Sequence, residues 1–309
     1  MTGIKVFAHN FNPSSNSGPN KFTRTLFNSL KKQNLVSIET VQREADVEFC
    51  LIQQSLHKVK PMVLRLDGIW FNSEQEYDKQ NAPIMFAYNN ADTVIFQSEF
   101  NKRLTESWFG PHKNSVVIHN AADPDLIRAA NTRYYDNVFD TSTEVWSCAS
   151  NWRPHKRLRE NIAYYQRYAP SNSILAIAGA LHLDHAREIL TIDKRIRLMG
   201  DLDYMSLLSL YKRSSTFIHL AYLDHCPNVV VDAQAAGCLV ICSSSGGTSE
   251  IVNNGIVVIE DLWDLKPCDL YNPPKIDFNN SVKKESNATN DFSTCVSRYY
   301  EAMRRLCTQ

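Results

Sequence analysis

Two acidic residues, Asp224 and Asp232, come after an apolar, strand-like run, and seven residues lie between them. Asn228 lies between them and can begin a helix that carries Asp232 in its early part. Because a carboxylate can accept hydrogen bonds from two vicinal hydroxyl groups, this spacing predicts two acceptors for sugar hydroxyls. Acidic residues that cap a helix for purely structural reasons would give the same pattern.

Basic residues crowd the segment S-N-W-R-P-H-K-R, which runs from Ser150 to Arg157. Arg153, His155 and Lys156 lie within it, directly before a predicted helix. Cations at a helix N-terminus oppose the helix dipole, so they require a compensating anion or ample solvent. The segment therefore predicts a phosphate-binding loop, and a solvated charged turn is the alternative interpretation.

Glycine residues lie in two further loops that follow predicted strands. Gly18 precedes the first predicted helix, and Gly246 and Gly247 lie in the segment S-S-S-G-G-T-S-E. Glycine lets backbone N–H groups approach a charged ligand closely. Because neither loop has the spacing G-x-G-x-x-G, the dinucleotide fingerprint is absent, which argues against an oxidoreductase. A plain strand-to-helix turn is the alternative interpretation of the Gly18 loop.

A carboxylate in the N-terminal half has a comparable position. Asp67 ends the apolar run from Leu64 and is followed by Gly68. From the end of a strand its side chain would project toward a ligand, where it could orient or deprotonate a hydroxyl group. A plain Asp-Gly turn would explain the same two residues.

Two blocks of alternating segments position these loops. Short apolar runs rich in β-branched residues alternate with segments of helical period, which is typical of parallel α/β sheets. The sequence predicts an α/β fold with two Rossmann-like, doubly wound parallel-sheet domains at residues 1–135 and 140–285, and a final helix at 290–309. In such folds ligands bind outside the carboxyl ends of the strands, so we expect the loops to face a central cleft.

Charge and composition exclude several classes of protein. The 309 residues include 33 Lys and Arg and 33 Asp and Glu, and this balance argues against nucleic-acid binding. No apolar stretch approaches the length of a spanning helix, and the first residues lack the layout of a signal peptide. The 8 cysteines form no C-x-x-C pair, which is typical of reduced thiols. We therefore expect a folded, cytoplasmic protein without a transmembrane segment.

The ordered series of segments resembles the GT-B glycosyltransferases, specifically the large retaining family 4. The second predicted domain matches that family in the loop around Lys156, in M-G-D-L-D-Y-M-S-L, in the D-x7-D of Asp224 and Asp232, and in L-V-I-C-S-S-S-G-G-T-S-E. The first adds A-D-T-V-I-F-Q-S-E-F and V-V-I-H-N-A-A-D. The resemblance implies the GT-B fold, in which the final helix crosses back onto the first domain.

The resemblance also implies roles for the residues of these loops. Lys156 would neutralise the diphosphate of a nucleotide-sugar donor. Asn151 stands where the family has an arginine, so that Arg153 would have to supply the second charge. Asp224 would face the donor sugar and Asp232 the ribose, although the family has glutamate at both positions.

Two sets of residues are predicted on this basis. The donor-binding set is Gly18, Asn151, Arg153, Lys156, Asp224, Asn228, Val229, Asp232, Gly246 and Gly247. The catalytic set is Asp67, Lys156 and Asp224, with Asp67 in the region where many relatives place a histidine near the acceptor.

The implied reaction moves a sugar from a nucleoside-diphosphate sugar to an acceptor hydroxyl with retention of the anomeric configuration, without a cofactor or a metal ion. The acceptor would be a glycan, a glycolipid or a protein. Four aromatic residues could reach a glycolipid at a membrane surface or simply pack: Trp70, Phe71, Trp108 and Phe109.

Two alternatives remain open. A non-catalytic protein that binds sugar nucleotides would fit the departures at Asn151, Asp224 and Asp232. A metal-dependent transferase could use the D-x-D of Asp201 and Asp203 to hold Mn²⁺ or Mg²⁺ against the diphosphate, although Asp203 could equally cap the helix that follows.

Overall fold

The chain forms two compact units, each built on its own β-sheet. The computed structural model describes residues 3–181, 189, 193–285 and 291–307. Unit 1 comprises Met1–Ala121, Leu265–Cys268 and Asn290–Gln309. Unit 2 comprises Ala122–Asp264 and Asp269–Thr289.

Strands and helices alternate along most of the chain, as the hydrophobic pattern predicts. The first part contains β1 (Ile4–His9), α1 (Gly18–Lys32), β2 (Val36–Glu39), β3 (Val47–Leu51), β4 (Met62–Leu66), α2 (Tyr77–Asn90), β5 (Thr93–Phe96), α3 (Glu99–Phe109) and β6 (Ser115–Val117). The second part contains α4 (Pro124–Ala129), β7 (Glu144–Ala149), α5 (Leu158–Tyr168), β8 (Ser173–Ala178), β9 (Ile196–Gly200), α6 (Tyr204–Arg213), β10 (Thr216–His219), α7 (Asn228–Ala235), β11 (Leu239–Ser243), α8 (Thr248–Ile251), β12 (Asn254–Val258), β13 (Ser281–Glu285) and α9 (Phe292–Cys307). The helix predicted between β8 and β9 falls largely outside the described residues.

The sheet of unit 1 has the order β2-β1-β3-β4-β5-β6, and neighbouring strands are parallel. Strands β3, β4 and β5 are buried along their whole length, as expected where helices cover both faces of a sheet. The C-terminal helix α9 buries Val296, Tyr299 and Met303 in the same hydrophobic core. The sequence does not predict β2, because its four residues V-S-I-E are too few and too polar to stand out.

The sheet of unit 2 has the order β13-β12-β11-β10-β7-β8-β9. Apart from the antiparallel β13, neighbouring strands are parallel, and β9-β8-β7-β10-β11-β12 follows the strand order of the Rossmann fold. The chain leaves β7 toward β8 on one side, and β10 lies on the other side. The carboxyl ends of β7 and β10 therefore form the topological switch point of this sheet.

The division between the units differs from the one that the sequence predicts. Unit 2 begins at Ala122, whereas residues 122–135 were expected in the first domain, and residues 265–268 belong to unit 1. The hydroxyl of Tyr135 donates to the carbonyl of Ser206 on α6 at 2.9 Å, and its ring stacks on Phe139. These aromatic contacts tie the segment to unit 2. A single six-residue helix, α4, is too short to show a period in the sequence.

Candidate functional site

Two loops of unit 2 meet at the switch point of its sheet. The loop after β7 leads through Asn151 and Arg153, both exposed, to a 3₁₀ turn at Pro154–Lys156. The loop after β10 leads to Asp224. Ligands of open α/β sheets bind at such switch points, outside the carboxyl ends of the strands. The structure thus brings together two segments that the sequence singles out separately.

An ion pair joins the two loops. Nζ of Lys156 donates to Oδ2 of Asp224 at 2.6 Å, and Nε2 of His219, the last residue of β10, lies 2.9 Å from the same oxygen. The side chains of Lys156 and Asp224 are 18% and 15% exposed, and that of His219 is 5% exposed. Lys156 is therefore close to the surface but already engaged with a carboxylate, which a bound anion would have to replace.

Charge and burial set the protonation of this cluster. Burial alone would raise the pKa of Asp224, but Lys156 and His219 outweigh it and hold the pKa well below its usual value. Burial lowers the pKa of His219, and it lowers the pKa of both His155 and His225 to about 4. The cluster therefore contains an ionised carboxylate, a lysine cation and uncharged imidazoles at neutral pH.

Gly246 and Gly247 lie directly against Asp224. The N–H of Gly247 donates to the carbonyl of Asp224 at 2.7 Å, and Gly246 forms an isolated bridge with Asp224. Gly246 has a φ of +75°, and a Cβ at this position would overlap the backbone of Asp224 and Leu223. The glycine pair thus allows the loop after β11 to approach the backbone of Asp224, and its role toward a charged ligand stays a prediction.

Arg157 has a different role from its neighbour Lys156. Its side chain is buried, and its guanidinium donates to both carboxylate oxygens of Glu260, at 2.8 and 2.7 Å, and to the carbonyl of Pro274 at 2.7 Å. The backbone of Arg157 is left-handed, with a φ of 51°, where it begins α5. This reversal turns one basic residue inward, while Lys156 faces the switch point.

Asp232 lies on the side of α7 that faces α6. It is buried, and the hydroxyl of Tyr204, the first residue of α6, donates to its Oδ1 at 3.2 Å. Burial and the nearby Asp232 carboxylate raise the pKa of Tyr204 above its usual value. Asn228 and Val229 begin α7 and are partly exposed. A ribose contact at Asp232 would thus have to share the carboxylate with Tyr204.

Asp67 lies in unit 1, after β4, and forms an ion pair with the fully buried Arg65. Arg65 also donates to the hydroxyl of Tyr299 at 3.1 Å and to Oδ1 of Asn120 at 3.0 Å, and it lies over the ring of Phe22. The predicted hydroxyl-binding carboxylate is therefore held in place by an arginine that the sequence does not single out. Its role toward an acceptor stays a prediction.

The remaining predicted residues belong to unit 1. Gly18 is the exposed first residue of α1 in unit 1. Among the four aromatic residues, Trp70 is exposed, while Phe71 is buried. The indole N–H of Trp108 donates to the carbonyl of Leu265 at 2.8 Å, so that this ring packs within unit 1. Phe109 lies against Tyr88.

Asp203 of the D-x-D segment caps α6. Its carboxylate accepts the N–H of Ser206 at 3.0 Å and the hydroxyl of Ser206 at 2.6 Å. These bonds lower the pKa of Asp203. Within the described ranges, no group of three or more His, Cys, Asp or Glu side chains is arranged to hold a metal ion. None of the described helices has the length and apolar character that membrane spanning requires.

Two buried histidines are not predicted as site residues from the sequence. His219 ends the run T-F-I-H and contacts Asp224, as described above. His9, the last residue of β1, is fully buried, and its Nε2 lies 3.0 Å from Oε2 of Glu48. Burial alone would raise the pKa of Glu48, but hydrogen bonds from His9, the backbone of Val59 and other donors hold it below its usual value. The sequence feature that could have indicated these histidines is a polar residue within or at the end of an apolar, strand-like run.

One segment of the chain is similar to a known protein family. Residues 137–262 match the sequence model of the family described as glycosyl transferases group 1. The matched residues lie within unit 2. A comparison with curated protein sequences gave no match.

Solved structures of glycosyltransferases share the fold of the chain. They include sucrose-phosphate synthase from Thermosynechococcus elongatus, with a TM-score of 0.69 and 12% identity over 99% of this chain and 92% of that one. HepE from Anabaena in complex with UDP-glucose has a TM-score of 0.62 and 14% identity over 99% and 92%. The catalytic domain of starch synthase IV from Arabidopsis thaliana, bound to ADP and acarbose, has a TM-score of 0.69 and 12% identity over 99% and 100%.

These matches bear on the predictions at different levels. The predicted resemblance to GT-B glycosyltransferases and the α/β GT-B fold are confirmed, as is the prediction of a glycosyltransferase enzyme. At these identities, the likeness to solved structures carries the fold alone. Membership of family 4, retention, independence of metal ions and the roles of individual residues stay predictions.

Proposed function

We propose that the chain transfers a sugar from a nucleoside-diphosphate sugar to an acceptor hydroxyl, and that unit 2 binds the donor. The observation that carries the proposal is the position of Lys156. Its ammonium group lies at the switch point of a Rossmann-type sheet, in the segment that matches the model of the glycosyl transferases group 1 family. A diphosphate that reached this point would meet Lys156, and Arg153 is exposed three residues earlier.

The proposed chemistry relies on charge and positioning. When the glycosidic bond to the diphosphate breaks, negative charge develops on the leaving phosphate, and Lys156 would stabilise it without a metal ion. The acceptor oxygen would attack the anomeric carbon from the side on which the diphosphate departs, which retains the configuration, and the hydroxyl proton would pass to the departing phosphate oxygen. Asp67, held by Arg65, would orient that hydroxyl.

Thermal unfolding with a panel of UDP-, GDP-, ADP- and dTDP-sugars, with and without EDTA, tests donor binding. A donor at about 100 times its Kd adds roughly 2.7 kcal/mol of stability. We expect stabilisation by donors with one type of base, unchanged by EDTA and absent in Lys156→Met. Lys275→Met removes an exposed lysine of the same unit and should retain the effect. Equal stabilisation of both variants would contradict the role of Lys156.

Transfer itself is tested with the donor that the panel selects and a set of glycan, glycolipid and protein acceptors. Proton coupling constants at the anomeric carbon of the product report its configuration, and we expect the configuration of the donor. A product of opposite configuration would refute retention while leaving sugar transfer intact.

A second candidate is a protein that binds sugar nucleotides without transferring the sugar. Asn151 is exposed where the resembling family has an arginine, and Tyr204 occupies one oxygen of Asp232. Both observations predict weaker binding of a donor in the transition state. Donor binding without turnover for any acceptor class would favour this candidate.

A further inference from the structure

The carboxylate of Asp224 has two side-chain donors on a single oxygen. Lys156 lies 2.6 Å and His219 2.9 Å from Oδ2, while the N–H of His225 donates to Oδ1 at 3.1 Å. An ionised carboxylate only accepts hydrogen bonds, so Nε2 of His219 carries a proton. If Lys156 left, His219 would still hold Asp224 in the same orientation.

Lys156 is also the residue proposed to bind the donor diphosphate, so the charges must be redistributed. A diphosphate diester carries two negative charges, and Asp224 carries a third. Lys156 and Arg153 supply two positive charges. Leaving a mostly buried carboxylate without its cation costs free energy. The group able to restore neutrality is the imidazole of His219, which already contacts the carboxylate.

The surroundings of His219 favour this response. Among the described residues, the charged groups near its ring are Asp224 and Lys156, and His155 is a further titratable group that interacts with it. The ring of Phe217 lies parallel to that of His219, with centroids 6.3 Å apart. Burial and Lys156 both keep its pKa low, whereas Asp224 raises it. Movement of Lys156 toward an anion weakens the repulsion, and the anion adds attraction. Both changes favour the cationic form of His219.

Two other imidazoles lie near Asp224 but are less suited to this response. His155 faces the cations of Lys156 and Arg153 as well as Asp224, and its backbone carbonyl accepts the N–H of Tyr222 at 2.7 Å. His225 faces Asp224 and Lys156, and it bonds Oδ1 of Asp224 through its backbone N–H. His219 differs because its ring nitrogen itself bonds the carboxylate.

We propose that His219 is a positioning residue. When Lys156 moves to the donor diphosphate, His219 becomes protonated and forms the ion pair with Asp224, so that donor binding takes up one proton. This inference rests on the proposed function. It predicts that donor affinity falls as the pH rises, because the proton must come from solvent.

Isothermal titration calorimetry of the full chain with UDP-glucose, GDP-mannose and ADP-glucose tests the proposal. The diphosphate of these donors stays a dianion near neutral pH and neither gains nor loses a proton, so any proton uptake belongs to the protein. For the donor that binds, we expect Kd to rise by up to about tenfold per pH unit between the pKa of His219 in the free protein, which burial lowers, and its higher pKa in the complex. The measured heat should differ between Tris and phosphate buffers by the ionisation enthalpy of one proton.

Variants assign the proton to its residue. His219→Gln keeps an N–H donor but gains no charge, and we expect both the pH dependence and the proton uptake to disappear. His57→Gln alters an exposed imidazole of unit 1 and should retain both. Should His219→Gln fail to fold, the NMR titration of the His219 ring in the unsubstituted chain carries the test, with a higher pKa expected in the presence of the donor.

The outcomes separate this inference from the proposed function. Donor binding with the same Kd across this pH range, and with no dependence on the buffer, would overturn the role of His219 and leave the proposed function intact. Binding of none of the donors would overturn both. Proton uptake that persists in His219→Gln would also overturn the assignment.

Discussion

Two glycines of unit 2 offer a matched pair of substitutions that isolates the contact at Asp224. Gly246 and Gly200 have similar left-handed backbones, with φ values of +75° and +68°. A Cβ at Gly246 would overlap the backbone of Asp224, whereas nothing lies within 4 Å of a Cβ at Gly200. Alanine at either position adopts the same unfavourable conformation, so the two variants differ mainly in the contact.

The expected loss of stability follows from these contacts. A left-handed alanine costs about 1–2 kcal/mol, and this is the whole expected effect of Gly200→Ala. In Gly246→Ala the displaced loop also weakens the hydrogen bond from Gly247 to Asp224, at 2.7 Å, and the one from Leu223 to Ser245, at 3.2 Å. Each such bond contributes about 1 kcal/mol, so we expect a loss of about 3–4 kcal/mol.

Thermal unfolding of the full chain, followed by tryptophan fluorescence, measures both losses. For a domain of this size we expect Tm to fall by about 2–4 °C for each kcal/mol. Because Gly246 and Asp224 both belong to the predicted donor-binding set, Gly246→Ala should also weaken donor binding, while Gly200→Ala should leave it unchanged. Equal losses of stability in the two variants, or equal donor affinities, would refute this account of the loop.

Three further predictions concern the buried charges. Arg157→Met should destabilise unit 2 by about 3–5 kcal/mol in urea unfolding, because it leaves Glu260 buried without its cation, and a loss below 1 kcal/mol would contradict this. Unit 2 should lose a few kcal/mol as the pH falls from about 6.5 to about 4, because His155 and His225 have folded pKa values of about 4 and protonate more readily when unfolded. Tm measured against pH should fall less in the double variant His155→Gln, His225→Gln than in the unsubstituted chain. An equal fall in both would contradict the assignment to these histidines. Tyr299→Phe should cost about 1.5–3 kcal/mol in unit 1 by removing an acceptor from a buried guanidinium, while an unchanged unfolding midpoint would contradict that role.

Most of the sheet elements could be predicted from the sequence. Strands such as V-E-F-C-L and T-F-I-H are nearly continuous apolar runs because parallel strands are covered on both faces. The edge strands β2 and β13 were missed, because strands at the edge of a sheet tolerate polar residues, as in S-V-K-K-E. The boundary near Ala122 was missed because its contacts come from single aromatic residues.

The site could be predicted in part. Lys156, Asp224 and the glycine pair each follow a strand in the sequence, and the neighbouring positions of β7, β10 and β11 bring their loops together. His219 was not predicted because a single histidine at the end of a strand has no local signal. The engagement of Asp232 by Tyr204 was equally hidden, since it depends on how α6 packs against α7.

The sequence by itself determined the types of the elements, their order and the loops that follow the strands, because hydrophobic periodicity depends on residues that are neighbours in the chain. Only the tertiary structure decided which charges pair. Lys156 and Arg157 are adjacent, yet one meets Asp224, 68 residues away, and the other meets Glu260, 103 residues away. Arg65 reaches Tyr299 across 234 residues. Such partners depend on strand order, a single left-handed residue and helix packing, which no local pattern of residues encodes.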